Sequence, residues 1–173
     1  MLVGAANRSQ VLSLVQHLTN PDEFCIRETM HTAEDDPSPS PCFWGLPSVA
    51  ANDPSFMLPP SYIYWRGLSW GPHALLTYWS LEQSGFAESE PRVAAAMAVL
   101  SSQKSDMMMS MWRRNRHICE NYSPYAPWAS TPPGTQQGLS NEECTGWAFY
   151  YWGPLHGVTK LLQVGQPDKG KKR

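Results

Sequence analysis

The chain has 173 residues and a formal net charge of −2, which removes any electrostatic case for binding nucleic acid or an anionic membrane surface. Its length fits one domain with a real core. Eight tryptophans mean either a heavily aromatic core or a surface that stacks on ligands. Cysteines at 25, 42, 119 and 144 show no C-x-x-C spacing, and the five histidines complete no zinc pattern, so neither a metal nor a cofactor is expected. Cys25 and Cys42 flank an acidic, proline-rich stretch that a disulfide between them would close into a loop. No apolar run reaches transmembrane length, and the first residues lack the charged-then-hydrophobic pattern of a secretory signal.

In chain order, residues 8 to 19 read as a helix capped at Ser9, with Val11, Leu12, Leu14, Val15 and Leu18 as its apolar stripe and Pro21 as its end. Residues 20 to 63 are irregular. Within them the segment from 25 to 42, acidic and rich in Pro and Ser from Glu28 to Pro41, reads as a mobile surface insertion. Next comes Tyr64-Trp65-Arg66-Gly67-Leu68-Ser69-Trp70-Gly71-Pro72, which crowds two indoles and a guanidinium around two glycines.

A second helix is predicted from Pro72 or His73 to about Ser84, with Gly85 as its stop. A third spans Pro91 to about Arg116, with Val93, Met97, Leu100, Met108, Met111 and Trp112 recurring at helical steps. A Pro- and Gly-rich loop covers about 121 to 143. A fourth helix is predicted over about 145 to 163, and Gly153-Pro154 should kink or divide it. Residues 166 to 173 form a short basic tail. No convincing alternating strand occurs, so the class is all-α. If successive helices run antiparallel, the start of the second, the end of the third and the start of the fourth share one rim.

That rim collects the residues with chemistry. Trp65 and Trp70 offer aromatic faces of the kind that stack on the C–H face of a sugar ring, and Arg66 offers five fixed donors for hydroxyls or a carboxylate. Gly67 and Gly71 beside them point to close approach by another group. Glu120, between Cys119 and Asn121, is either a general base or nucleophile, or else a solvated acid at a helix end. The Asp35-Asp36 pair lies in the insertion and reads as solvated; Asp53, before Pro54, reads as a turn residue. The Met107-Met108-Met109 run reads as helical core, and Trp147, Tyr151 and Trp152 as cleft lining or core.

Taken together these motifs resemble glycoside hydrolase family 63, which includes processing mannosyl-oligosaccharide glucosidases and relatives acting on glucosides and mannosylglycerate. The resemblance rests on Tyr64-Trp65-Arg66-Gly67 with Trp70 following. It continues in Asn20-Pro21-Asp22-Glu23-Phe24, Gly45-Leu46-Pro47-Ser48, Asn52-Asp53-Pro54, Glu120-Asn121-Tyr122, Thr145-Gly146-Trp147 and Phe149-Tyr150-Tyr151-Trp152-Gly153.

It implies an (α/α)6 barrel and an inverting glycosidase, with Glu120 at the general-base position. It also implies that Trp65, Arg66, Gly67, Trp70, Tyr122, Trp147, Tyr151 and Trp152 line the sugar site. The departures are specific. Such a barrel has twelve helices and this chain about four; no aspartate matches the general acid; and Tyr151 stands where one branch has histidine. The expectation is therefore that residues 1 to 165 are the C-terminal part of a barrel that needs an N-terminal part to act. A non-catalytic carbohydrate-binding module and a trehalase-like hydrolase are the alternatives. A processing glucosidase would sit in the endoplasmic reticulum lumen, and otherwise the cytoplasm is expected.

Overall fold

The first helix shows how closely local chemistry sets the fold. In a computed structural model, which describes residues 6–26, 42–43, 45–56, 65–116, 118–122, 124 and 152–165, α1 spans Arg8–Thr19. Its cap is Asn7, not Ser9: the Asn7 side chain accepts from the Gln10 backbone at 3.0 Å, and the Gln10 side chain accepts from the Asn7 backbone at 2.9 Å. This reciprocal box satisfies two amide donors that a helix start leaves open. Ser9, two residues too late to do so, donates instead to Asn7 Oδ1. Val11, Val15 and Leu18 then fall on one face and are buried.

Beyond α1 the chain turns at Asn20, and Cys25 forms a disulfide with Cys42. Ile26 and Phe43 meet in a parallel bridge beside it. The bridge joins the two ends of the segment read as an insertion, whose interior lies outside the described residues. Asp53 is the turn residue its sequence suggested. Its carboxylate accepts from both the Ser55 amide (2.7 Å) and the Ser55 hydroxyl (2.6 Å), and those bonds hold its pKa below the usual value.

Three further α-helices follow among the described residues. α2 spans Gly71–Gln83, with Pro72 in its first turn and Gly85 left-handed just past its end. α3 spans Pro91–Asn115, about 37 Å at 1.5 Å per residue, and stops at Arg116 in left-handed backbone. α4 spans Leu155–Gly165. It follows a turn at residues 152 to 154, around the Gly153-Pro154 pair at which the sequence predicted a kink or division. The stretch from 145 to 151 lies outside the described residues. α3 packs against α1, α2 and α4, and α2 also meets α4.

The main core joins α1 to Tyr78 and Leu81 of α2 and to Val93, Ala96, Met97, Val99 and Leu100 of α3. A smaller cluster holds Met107, Cys119 and Tyr122. Met107 rather than Met108 is the fully buried methionine of the run, and Trp112, expected in the stripe, is exposed. The fold is all-α, with one correction. Ser69–Trp70 (β1) and Asn121–Tyr122 (β2) pair antiparallel, with Ser69 opposite Tyr122 and Trp70 opposite Asn121. Two residues per strand carry no detectable alternation.

Replacing the cap tests this part of the fold. Asn7→Ala removes the acceptor of the Gln10 amide, and unfolding in urea should show about 1 kcal/mol lower stability with an unchanged slope. A loss under ~0.2 kcal/mol would mean that tertiary packing alone fixes α1.

Candidate active site

The Trp-Arg-Gly loop is held from both sides by backbone. On one side the Gly67 amide donates to Ser48 Oγ at 3.0 Å, the Ser48 amide donates to the Leu68 carbonyl at 3.1 Å, and Pro47 bridges Ser69. On the other side β1 pairs with β2. The two flanks are themselves joined, since the Gly45 amide donates to the Pro124 carbonyl at 3.0 Å. β1 therefore runs through the middle of a three-segment patch. That patch sets Ser69-Trp70, which close the Trp-Arg-Gly loop, against Asn121-Tyr122, the two residues that follow Glu120.

Above the patch stand three indoles. The rings of Trp65 and Trp70 stack with centroids 4.0 Å apart and planes 14° from parallel. Trp152 meets Trp70 edge-on at 5.5 Å and Trp65 at 6.1 Å. Such contacts contribute about 0.5–1.5 kcal/mol each beyond the area they bury. The exposures differ sharply: Trp65 is 45% exposed and Trp70 is 0%. Trp65 thus turns one face inward onto Trp70 and keeps part of its ring surface open to solvent. Trp70, expected on the sugar-facing rim, lies beneath it and supports it. Tyr122, also expected there, is buried, with its ring among Met107 and Cys119.

Glu120 immediately precedes β2 and is 9% exposed. Arg66 and Trp152 are partly exposed, and Gly67 is buried. Trp147 and Tyr151, the other two residues expected in the site, lie outside the described residues. The close approach that the glycines suggested comes, at Gly71, from the chain itself. A Cβ there would sit 1.9 Å from the Trp152 carbonyl oxygen, so α2 can begin against the turn that leads into α4 only with glycine at that position.

Two residues that the sequence did not single out complete the arrangement. Ser69 and His156 are both fully buried, with Ser69 Oγ 3.4 Å from His156 Nε2 and His156 Nδ1 3.1 Å from the Gly153 carbonyl. Tyr122 packs edge-on against the imidazole at 4.9 Å. A lone histidine and a lone serine 87 residues apart carry no spacing signal, so only the fold reveals the pair.

A concavity of about 360 Å³ opens between α1 and α2, walled by Leu14, Leu18, Phe24 and Leu76. Its walls include Ser48, which holds the Gly67 amide, and His73, whose ring lies 5.4 Å from Trp65, but not Glu120. Among the described residues no helix is long and apolar enough to cross a membrane.

Comparison with known proteins gives one match. Residues 1–130 match the family model of the mannosylglycerate hydrolase MGH1-like glycoside hydrolase domain. The match covers Trp65, Arg66, Trp70, Glu120 and Tyr122 and stops before Trp152. It supports the resemblance to a family 63-related glycoside hydrolase. No curated protein and no solved structure matches the chain.

Burial separates the two stacked indoles by experiment. Trp70→Ala should cost about 3–5 kcal/mol of stability, as for a large core residue, and Trp65→Ala only about 1–2 kcal/mol. Equal losses would contradict the layering. Burial also pushes the Tyr122 hydroxyl up to about 12 from 10.0, opposed in part by the Cys119 backbone. The folded state therefore holds the Tyr122 proton more tightly than the unfolded chain. Its contribution is complete below pH 10 and is lost as pH rises from 10 to about 12, by roughly 2–3 kcal/mol. Tyr122→Phe should abolish that part of the alkaline loss, measured as the difference between the two denaturation curves across this window.

Proposed function

The chain belongs to the mannosylglycerate hydrolase MGH1-like glycoside hydrolase family, and from that premise we propose that it is the C-terminal part of an inverting α-glycosidase acting on glucosyl or mannosyl glycosides. The observation that carries this reading is the juxtaposition of a half-exposed indole, backed by a buried one, with the strand that follows Glu120.

In the proposed reaction the open face of Trp65 stacks on the C–H face of the sugar, and Arg66 donates to its hydroxyls. Glu120 acts as general base. It takes a proton from a water whose oxygen attacks the anomeric carbon from the face opposite the leaving group. The glycosidic C–O bond breaks, and a carboxylic acid about 6.5–9.5 Å from Glu120 gives its proton to the departing oxygen, so the product has inverted configuration. That acid is the aspartate with no counterpart among this chain's motifs, and it is assigned to an N-terminal part of the barrel. Four α-helices among the described residues, where an (α/α)6 barrel has twelve, support the same assignment. Without its general acid the chain loses help worth about 10²–10⁴ in rate.

Two measurements on the purified chain test this. Methyl α-D-glucopyranoside or methyl α-D-mannopyranoside should quench or shift tryptophan fluorescence with a Kd of about a millimolar. The signal should vanish in Trp65→Ala, and hydrolysis should stay near background. Strong release of glucose or mannose, abolished by Glu120→Gln, would sink the claim that a second carboxylate comes from elsewhere. Binding that never leads to turnover, even after an N-terminal barrel part is supplied, would favour a carbohydrate-binding module instead.

A further inference from the structure

The residue that ties the site together is one to which the glycosidase chemistry assigns no part. His156 lies in the first turn of α4, is fully buried, and reaches two other parts of the chain. An imidazole in such a position is costly unless its nitrogens are hydrogen-bonded, and a leucine or phenylalanine would fill the space without that cost. Both nitrogens have partners. The Gly153 carbonyl, 3.1 Å from Nδ1, can only accept, so Nδ1 carries a proton. In the neutral ring Nε2 is then an acceptor, and the Ser69 hydroxyl 3.4 Å away can rotate to donate to it. Tyr122, the residue paired with Ser69 across the strands, closes over the ring edge-on.

The backbone around His156 shows what this tether connects. A Cβ on Gly153 would lie 2.0 Å from the Cys119 carbonyl oxygen, and one on Gly71 would lie 1.9 Å from that of Trp152. The turn into α4 is thus wedged between the residue before Glu120 and the start of α2. His156 is the polar side chain that bonds this turn to β1, at the residue preceding Trp70.

We propose that His156 is a positioning residue: through Gly153 and Ser69 it fixes the entry of α4 against the paired strands, and so sets where Glu120 stands relative to the Trp65 platform. The functional half of this rests on the glycosidase reading. The geometric half does not.

The experiment follows both halves. In the full chain, ¹⁵N imidazole spectroscopy of His156 should show a protonated Nδ1 and an unprotonated Nε2. Ser69→Ala should move the Nε2 resonance and weaken binding of methyl α-D-glucopyranoside about tenfold with little change in Tm. His156→Leu should weaken it as much, and His156→Gln, whose amide can both donate and accept, should restore most of the affinity.

An Nε2–H ring in the wild type overturns the proposal without any variant having to fold. So does unchanged glycoside affinity in folded Ser69→Ala and His156→Leu. A wild-type chain that binds no glycoside but shows the Nδ1–H ring overturns the sugar reading, and the positioning role with it. That outcome is distinct from a wrong tautomer, where binding survives and the tether does not.

Discussion

The pairing of Ser69–Trp70 with Asn121–Tyr122 is the constraint on which the rest of the site depends. It is only two residues long on each side, too little to be stable by itself. What holds it is its surroundings: the 45–48 segment along its other edge, the Met107 cluster beneath it, and the turn into α4 against its end. Each strand also sits beside a helix terminus, β1 leading directly into α2 and β2 following α3. Helices that fix their ends in the core therefore fix the register of the strands. The strands in turn fix which side chains meet above them.

That arrangement explains why two tryptophans five residues apart play different parts. Trp70 is in the paired strand, inside the backbone patch, and is buried. Trp65 is in the turn before it and folds back so that one ring covers the other. A platform built in this way is stiff at little entropic cost, because the supporting ring is already immobilised by packing. The same logic applies to Glu120. It directly precedes β2, so the paired backbone anchors it on that side.

Much of the helical framework was legible from residue order. Val11, Val15 and Leu18 gave α1 its stripe, Pro72 and Gly85 bracketed α2, and Pro91 opened α3, because in these places local propensity and tertiary packing agree. The cap went to Asn7 and not Ser9, a choice set by the geometry of one turn that several polar residues could have met. The break before α4 was legible in Gly153-Pro154, because a proline there cannot continue a helix. The strands escaped notice because a pair of two-residue strands has no period to read. The order of the aromatic motif residues was legible, but not their layers. Nothing in the spelling Trp-Arg-Gly-Leu-Ser-Trp says which indole is covered. The Ser69–His156 contact depends wholly on how the chain folds back over 87 residues, so it was invisible.

The central claim is that the open face of Trp65 and the segment carrying Glu120 form one sugar site. Chemical-shift mapping of the chain titrated with methyl α-D-glucopyranoside and its mannose counterpart tests it most directly. The account predicts saturable shifts at the Trp65 indole and at the amides of Glu120 and Asn121, with the exposed Trp79 on α2 unmoved. Shifts confined to the α1–α2 concavity around Leu14, Leu18 and Phe24, or none with either sugar, would contradict it.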